Sequence, residues 1–152
     1  MIKICDDNEF LSVVKEVTSA DNYKYLTKNI QHADVTVARH CLMVASCTYR
    51  LAKFLKMKTD YHNLIRASLL HDYFFYDWHD KNKGFRGHGF KHPEFALENA
   101  EKDFDLSDRE KDMIKKHMFP LTLFSIPKYK ESWLLSLCDK YVATMEVLRL
   151  YK

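Results

Sequence analysis

The chain has 152 residues, 47% of them hydrophobic and 30% charged, which is enough apolar material for one domain with a substantial core. Its 24 basic and 21 acidic side chains are interspersed and leave a net charge of +3, so they describe a mixed solvated surface and argue against a nucleic-acid partner. Only three glycines and three prolines occur, and no run approaches the roughly 18 apolar residues of a membrane span. The composition therefore argues against an all-β fold and a membrane protein.

The opening "MIKICDDNEF" lacks the basic and then apolar layout of a secretory signal, which makes the cytoplasm the expected compartment. Cys5, Cys41, Cys47 and Cys138 show no CxxC pair or close metal-type spacing, and in a reducing compartment they read as buried thiols. Histidine is the unusual count, at eight. Helical apolar spacing runs through most of the chain and predicts an all-α, single-domain bundle of about six to seven helices.

An N-terminal helix is predicted over about residues 7–18, followed by a polar turn and a short segment around "YLTKNIQHAD". The first long helix runs from Asp34, its expected N-cap, to Lys56. Val37, Cys41, Val44, Thr48, Leu51 and Leu55 form its apolar stripe, with His40 inward on the flank. Asp60 caps the next helix, expected over 61–76, which is apolar after Arg66 except for Ser68, His71 and Asp72. An unpaired carboxylate in such a helix costs several kcal/mol or takes up a proton, so Asp72 needs a partner.

All three glycines, Gly84, Gly87 and Gly89, fall in a loop expected over 77–91, which is also basic through Lys81, Lys83, Arg86 and Lys91. Pro93 suits a first helical turn, placing His92 at the N-cap of a helix over about 93–104. "SDRE", Ser107 to Glu110, is a capping box opening a helix that ends near His117, which lies over Met113 and Ile114 on the inward side. Pro120 and Pro127 bracket an irregular connection. The last helix begins near Glu131 and is expected to turn Leu134, Cys138, Tyr141, Met145 and Leu148 inward, with Asp139 beside Leu135 and Val142.

Four predicted helices and one loop-to-helix junction thus each bring an imidazole or carboxylate toward the interior: His40, His71 with Asp72, His92, His117 and Asp139. Taken singly, a histidine on an apolar helix face is more often a hydrogen-bonded core residue than a ligand. Taken together, this mixture suits a borderline transition metal, and helical bundles build such sites from distant parts of the chain. A metal would also supply the counter-charge that Asp72 lacks.

The order His, His-Asp, His, His, Asp over about residues 32–146 resembles the HD-domain metal-dependent phosphohydrolases. The segments "SLLHDYFFYDWHD", "GFKHPEFALENAEK", "KKHMFPLT" and "SLCDKY" resemble, more closely, a small bacterial HD-domain subfamily of predicted hydrolases. The resemblance implies an HD-type helical bundle in which His40, His71, Asp72 and Asp139 hold one metal and Asp72 bridges to a second held by His92 and His117. One or two divalent ions of manganese, iron, cobalt, nickel or zinc are implied. A metal-activated hydroxide would cleave a phosphomonoester or phosphodiester of a small molecule, a nucleotide among the candidates. The alternative is an HD-fold nucleotide-binding or sensor module with a structural metal and no turnover.

Asp72, Lys116 and His88 are the candidate catalytic residues, and Arg86 and Lys140 the candidate substrate-binding residues, because cationic donors stabilise charge building on a leaving oxygen. By the helical turn Lys140 points away from its neighbour Asp139. His88 reads equally as a further ligand, a general acid or an exposed loop residue. Asp77, His79 and Asp80 read as a solvated loop end or as hydrogen-bond partners of ligands, His32 as a residue that caps or packs at the start of the long helix, and Arg66 as a salt-bridge or substrate residue. Tyr73, Phe74, Phe75, Tyr76 and Trp78 read as core before stacking platform or dimer contact. A small phosphorylated substrate is the expected partner, and a homo-oligomer is compatible with the sequence.

Overall fold

A computed structural model of the chain describes residues 3–77 and 88–150, the side chain of His88 excepted. Six α-helices carry the fold: α1 Asn8–Thr18, α2 Val37–Phe54, α3 Tyr61–Leu70, α4 His88–Asp103, α5 Asp108–Lys116 and α6 Lys130–Val147. A short 3-10 helix, Asp21–Tyr25, and a two-stranded hairpin, β1 Ile30–His32 and β2 Val35–Thr36, lie between α1 and α2. The all-α expectation holds, with this hairpin as the exception.

Helix starts follow local chemistry. The Asp7 and Asp60 carboxylates accept hydrogen bonds from Glu9 N (2.9 Å) and Asn63 N (3.1 Å), supplying partners for amides that have none inside the helix. Ser107 and Glu110 form the expected capping box of α5. The start of α2 differs from expectation. Asp34 lies in the hairpin turn, which Ala33 closes with a left-handed backbone (φ 53°), and Thr36 is the cap. The next two amides, of Val37 and Ala38, donate to the Asn29 and Leu26 carbonyls, which ties the hairpin to the head of α2.

Two further boundaries move. Helix α3 stops at Leu70 instead of continuing to residue 76. At this end His71 Nδ1 bonds the Ser68 carbonyl at 2.8 Å, the carbonyl that the Asp72 amide would meet in a continued helix. Helix α4 begins at His88, so His92 lies within its second turn and Pro93 inside the helix. Pro93 there forgoes a single helical hydrogen bond, to the Gly89 carbonyl.

Helix α2 packs on α3 and α6, α3 on α1 and α5, and α5 on α4 and α6. Between them lie Phe10, Tyr49, Leu64, Ile65, Leu69, Leu70, Met113, Ile114 and Leu135, all fully buried. Tyr73 and Phe74 join this core, as the core reading of that aromatic cluster requires. Leu55 and, on α6, Tyr141 (51% exposed) and Leu148 (60%) face outward against expectation. Leu134 and Cys138 are buried as expected, and the inward line continues through Leu135, Asp139, Val142 and Glu146, whose two carboxylates serve the interior site. All four cysteines are free, Cys41 and Cys138 buried and Cys5 and Cys47 half-buried.

Arg66 joins α3 to α5. Its guanidinium donates to both Glu110 carboxylate oxygens (2.7 and 3.0 Å) and to the Asp105 carbonyl (2.9 Å). Arg66 therefore has a structural role. Glu110 is fully buried and also accepts from the Ser107 amide at 2.8 Å. Removing it breaks a cap and a buried ion pair together. Glu110→Ala is expected to lower stability by about 3 kcal/mol, against about 1 kcal/mol for Ser107→Ala. Urea unfolding midpoints of the two variants check this, and equal losses would show that the Arg66 link contributes nothing beyond the cap.

Candidate metal centre

His71 and His117 occupy equivalent places: each is the C-cap of its helix, of α3 and α5 respectively. His117 Nδ1 bonds the Ile114 carbonyl at 2.7 Å, as His71 Nδ1 bonds that of Ser68. A carbonyl only accepts, so each ring carries its proton on Nδ1 and turns Nε2 to the interior. His40, inside α2, is oriented by a carboxylate instead: its Nδ1 lies 2.9 Å from Glu146 Oε2 on α6. All three rings are buried.

These rings meet Asp72, Asp139 and His92 at one place. Around Asp72 Oδ2 stand His71 Nε2 at 3.4 Å and His40 Nε2 at 3.8 Å. Asp139 Oδ1 lies 3.1 Å from His40 Nε2 and 3.6 Å from His71 Nε2. Around Asp72 Oδ1 stand His92 Nε2 at 3.1 Å and His117 Nε2 at 3.4 Å, with those two nitrogens 2.9 Å apart. The two oxygens of one carboxylate thus face two separate groups of donors.

The donor set fits divalent metal. Ligands about 2.1 Å from an ion stand about 3.0 to 3.4 Å from one another along the edges of a tetrahedral or octahedral shell, the spacing that most of these atoms keep. Two of them, His71 Nε2 and Asp72 Oδ1, are buried without a hydrogen-bond partner. An unsatisfied buried polar atom is costly, and an ion would satisfy both. His40, His71 and Asp72 make one compact group of ligand atoms, and Asp72, His92 and His117 another. The mixed imidazole and carboxylate donors suit manganese, iron, cobalt, nickel or zinc.

The electrostatics match. Burial opposes charge on His40, yet its hydrogen bonds to Asp139 and Glu146 raise it to about 10. Burial opposes charge on His71 as well, but Asp72, Cys41 and Asp139 together lift it well above the ordinary imidazole value. Despite burial, the imidazoles hold the Asp72 and Asp139 carboxyls well below their usual range. Burial pushes His117 down to about 4, leaving it a neutral donor. The Asp72 and Asp139 carboxylates thus stay ionised and draw positive charge to the centre, which the imidazoles supply as protons.

A cavity of about 360 Å³ adjoins the cluster, lined by Asp72, His92, His117 and Asp139 together with Gln31, His32, Met118 and Lys140. Lys140 reaches it, contrary to the orientation expected from the helical turn. Its ammonium bonds the His117 carbonyl, and Asp139 Oδ2 at 3.0 Å. His32 sets its ring edge-on to His40, with centroids 5.5 Å apart, so it belongs to the cavity instead of capping α2.

Lys116 is not brought to the cluster. One residue before His117 it lies on another side of α5, where Asp112, a turn earlier, takes its ammonium at 2.5 Å. It lines a groove with Lys128 and Tyr129. Asp77 is exposed. Trp78, His79, Asp80, Arg86 and the side chain of His88 fall outside the described residues.

Two contributors were not singled out in the sequence. Glu146 stands seven residues after Asp139, two helical turns along one face, and that spacing was the available signal. Gln31 donates from Nε2 to Asp72 Oδ2 at 2.6 Å. It arrives there through a hairpin turn that the sequence does not announce.

Residues 37–144 match the HD domain model. The chain belongs to the HD-domain family, and with it to a superfamily of metal-dependent hydrolases. No curated protein and no solved structure matches the chain. Among the described residues, no helix is long and apolar enough to cross a membrane.

Glu146 orients His40 as outer-shell carboxylates orient metal-bound imidazoles, a contact usually worth about 10- to 100-fold in metal affinity. Glu146→Leu is expected to weaken Mn²⁺ binding by that factor, read by calorimetric titration of metal-stripped protein. Unchanged affinity would make Glu146 a packing residue only.

Proposed function

We propose that the protein is a metal-dependent phosphohydrolase acting on a phosphomonoester or phosphodiester of a small molecule, nucleotides among the candidates. The observation that carries the reading is the double-faced environment of Asp72, with one carboxylate oxygen toward His40 and His71 and the other toward His92 and His117. In this reading His40, His71, Asp72 and Asp139 hold one ion and Asp72, His92 and His117 a second. Bound there, divalent ions supply Lewis acidity toward phosphoryl oxygens and lower the pKa of water to roughly 7.

The protein's own groups do the rest. His71 and His117, pinned through Nδ1 to backbone carbonyls, keep their ligating nitrogens in place without rearrangement. Lys140 is the one lysine or arginine among the described residues lining the cavity, which gives that space a preference for an anionic group. Its ammonium is steadied by the His117 carbonyl and Asp139, so it can receive a phosphoryl oxygen while staying fixed. The chain has no need of a separate strong base.

The test is elemental analysis of protein purified without chelator or affinity metal, joined to a panel of phosphate esters assayed with manganese. Asp72→Ala is expected to lose its ions and all hydrolysis above background while keeping a helical far-UV spectrum. Hydrolysis retained in that variant would overturn the assignment. A wild type that is loaded with metal and binds nucleotides but turns over no ester would favour a sensor module.

A further inference from the structure

The carboxamide of Gln31 is buried, with 6% of the residue exposed, and lines the cavity over the cluster. Its orientation is fixed by its partner. A carboxylate only accepts, so the atom 2.6 Å from Asp72 Oδ2 must be the amide nitrogen, and Oε1 is turned the other way. That oxygen is buried and has no hydrogen-bond partner. Nor is its position loose. Gln31 lies in β1, whose hairpin is held by the Ile30–Thr36 pairing and by the Val37 amide on the Asn29 carbonyl at 2.9 Å.

A rigid, desolvated acceptor on a side chain that lines the cavity calls for a donor. Its reach decides which one. The oxygen and nitrogen of a carboxamide are about 2.3 Å apart, so with Nε2 2.6 Å from Asp72, Oε1 stands within about 5 Å of that carboxylate. This is the distance of a molecule seated directly at the centre, not of a remote part of a substrate. A phosphoryl group has only acceptor oxygens to offer at the reacting end. Water has the donor.

We propose that Gln31 is the residue that positions the attacking water, its Nε2 holding Asp72 in place and its Oε1 accepting a hydrogen bond from that water. The inference rests on the phosphohydrolase reading for the word "attacking". An amide oxygen is too weak a base to remove the proton, so its work is orientation: a lone pair of the water is directed at phosphorus while one O–H is tied to Gln31. Misplacing a nucleophile by about 1 Å can cost about 100-fold in rate.

The test compares wild type with Gln31→Met, which keeps the length of the side chain and removes both polar atoms. In crystals of the manganese-loaded wild type, an ordered water is expected within about 3.2 Å of Oε1, and in Gln31→Met that water should be displaced or lost. Steady-state kinetics on the best ester of the panel should show kcat reduced about 10- to 100-fold with KM within about twofold, at unchanged metal content. No water on Oε1 in the loaded wild type would overturn the proposal whatever the variant does, as would an unchanged kcat or a loss confined to KM. If wild type cleaves no ester yet the water stands on Oε1, the hydrolase reading fails and the water site remains. If wild type cleaves esters and Gln31→Met cleaves them equally, only the role of Gln31 fails.

Discussion

The burial of one carboxylate organises this molecule. Asp72 is 1% exposed, and a charged carboxylate so placed would be prohibitively costly without compensation. Five neighbouring elements contribute to that compensation. α2 brings His40, the ends of α3 and α5 bring His71 and His117, α4 brings His92, and the hairpin before α2 brings the amide of Gln31. Packing alone would fill such a core with leucine. The polar centre instead imposes a set of directions on the surrounding helices, and the hydrophobic residues around it keep those directions from relaxing.

Helix termination is the device that makes the geometry possible. An imidazole in the middle of a helix has no free carbonyl beside it, whereas the last turn of a helix leaves carbonyls without intrahelical partners. His71 and His117 use those carbonyls for Nδ1, which fixes the tautomer and leaves Nε2 for the interior. His40 lies in the first turn of α2, far from the free carbonyls of a helix C-terminus, so a carboxylate from another helix, Glu146, takes the part. Two solutions to one orientation problem thus occur side by side, one local in the chain and one long-range.

That difference explains what the sequence could disclose. The capping box at Ser107, the cap at Asp60 and the inward faces of α2 and α5 depend on residues a few positions apart, and they were legible. So was the inward placing of His40, His71, His92, His117, Asp72 and Asp139, all of them buried, although His71, His117 and Asp72 stand at or beyond the ends of their helices. The early end of α3 was not legible, because the apolar pattern continues past Leu70 while His71 and Asp72 turn to the interior centre. The far end of α6 was not legible either: apolar spacing turns Tyr141 and Leu148 inward, whereas Glu146 holds that face through its contact with His40 on a distant helix. Gln31 depends on a left-handed alanine in a tight turn, and Lys116 on capture by Asp112. The capture of Lys116 is the exception, a pairing four residues apart on one helix that the spacing itself offered.

The position of Glu146, next to last in α6, carries a consequence for motion. Helix ends fray, and the final turn of a helix is ordinarily among the first backbone to exchange its amides with solvent. Here that turn is clamped from inside by an imidazole of the centre, 2.9 Å from the Glu146 carboxylate. Order at the tail of α6 and order around Asp72 are therefore one thermodynamic event. Whatever tightens the interior will slow deuterium uptake in the last turn of this helix, a long way along the chain from the hairpin and the histidine–aspartate pair.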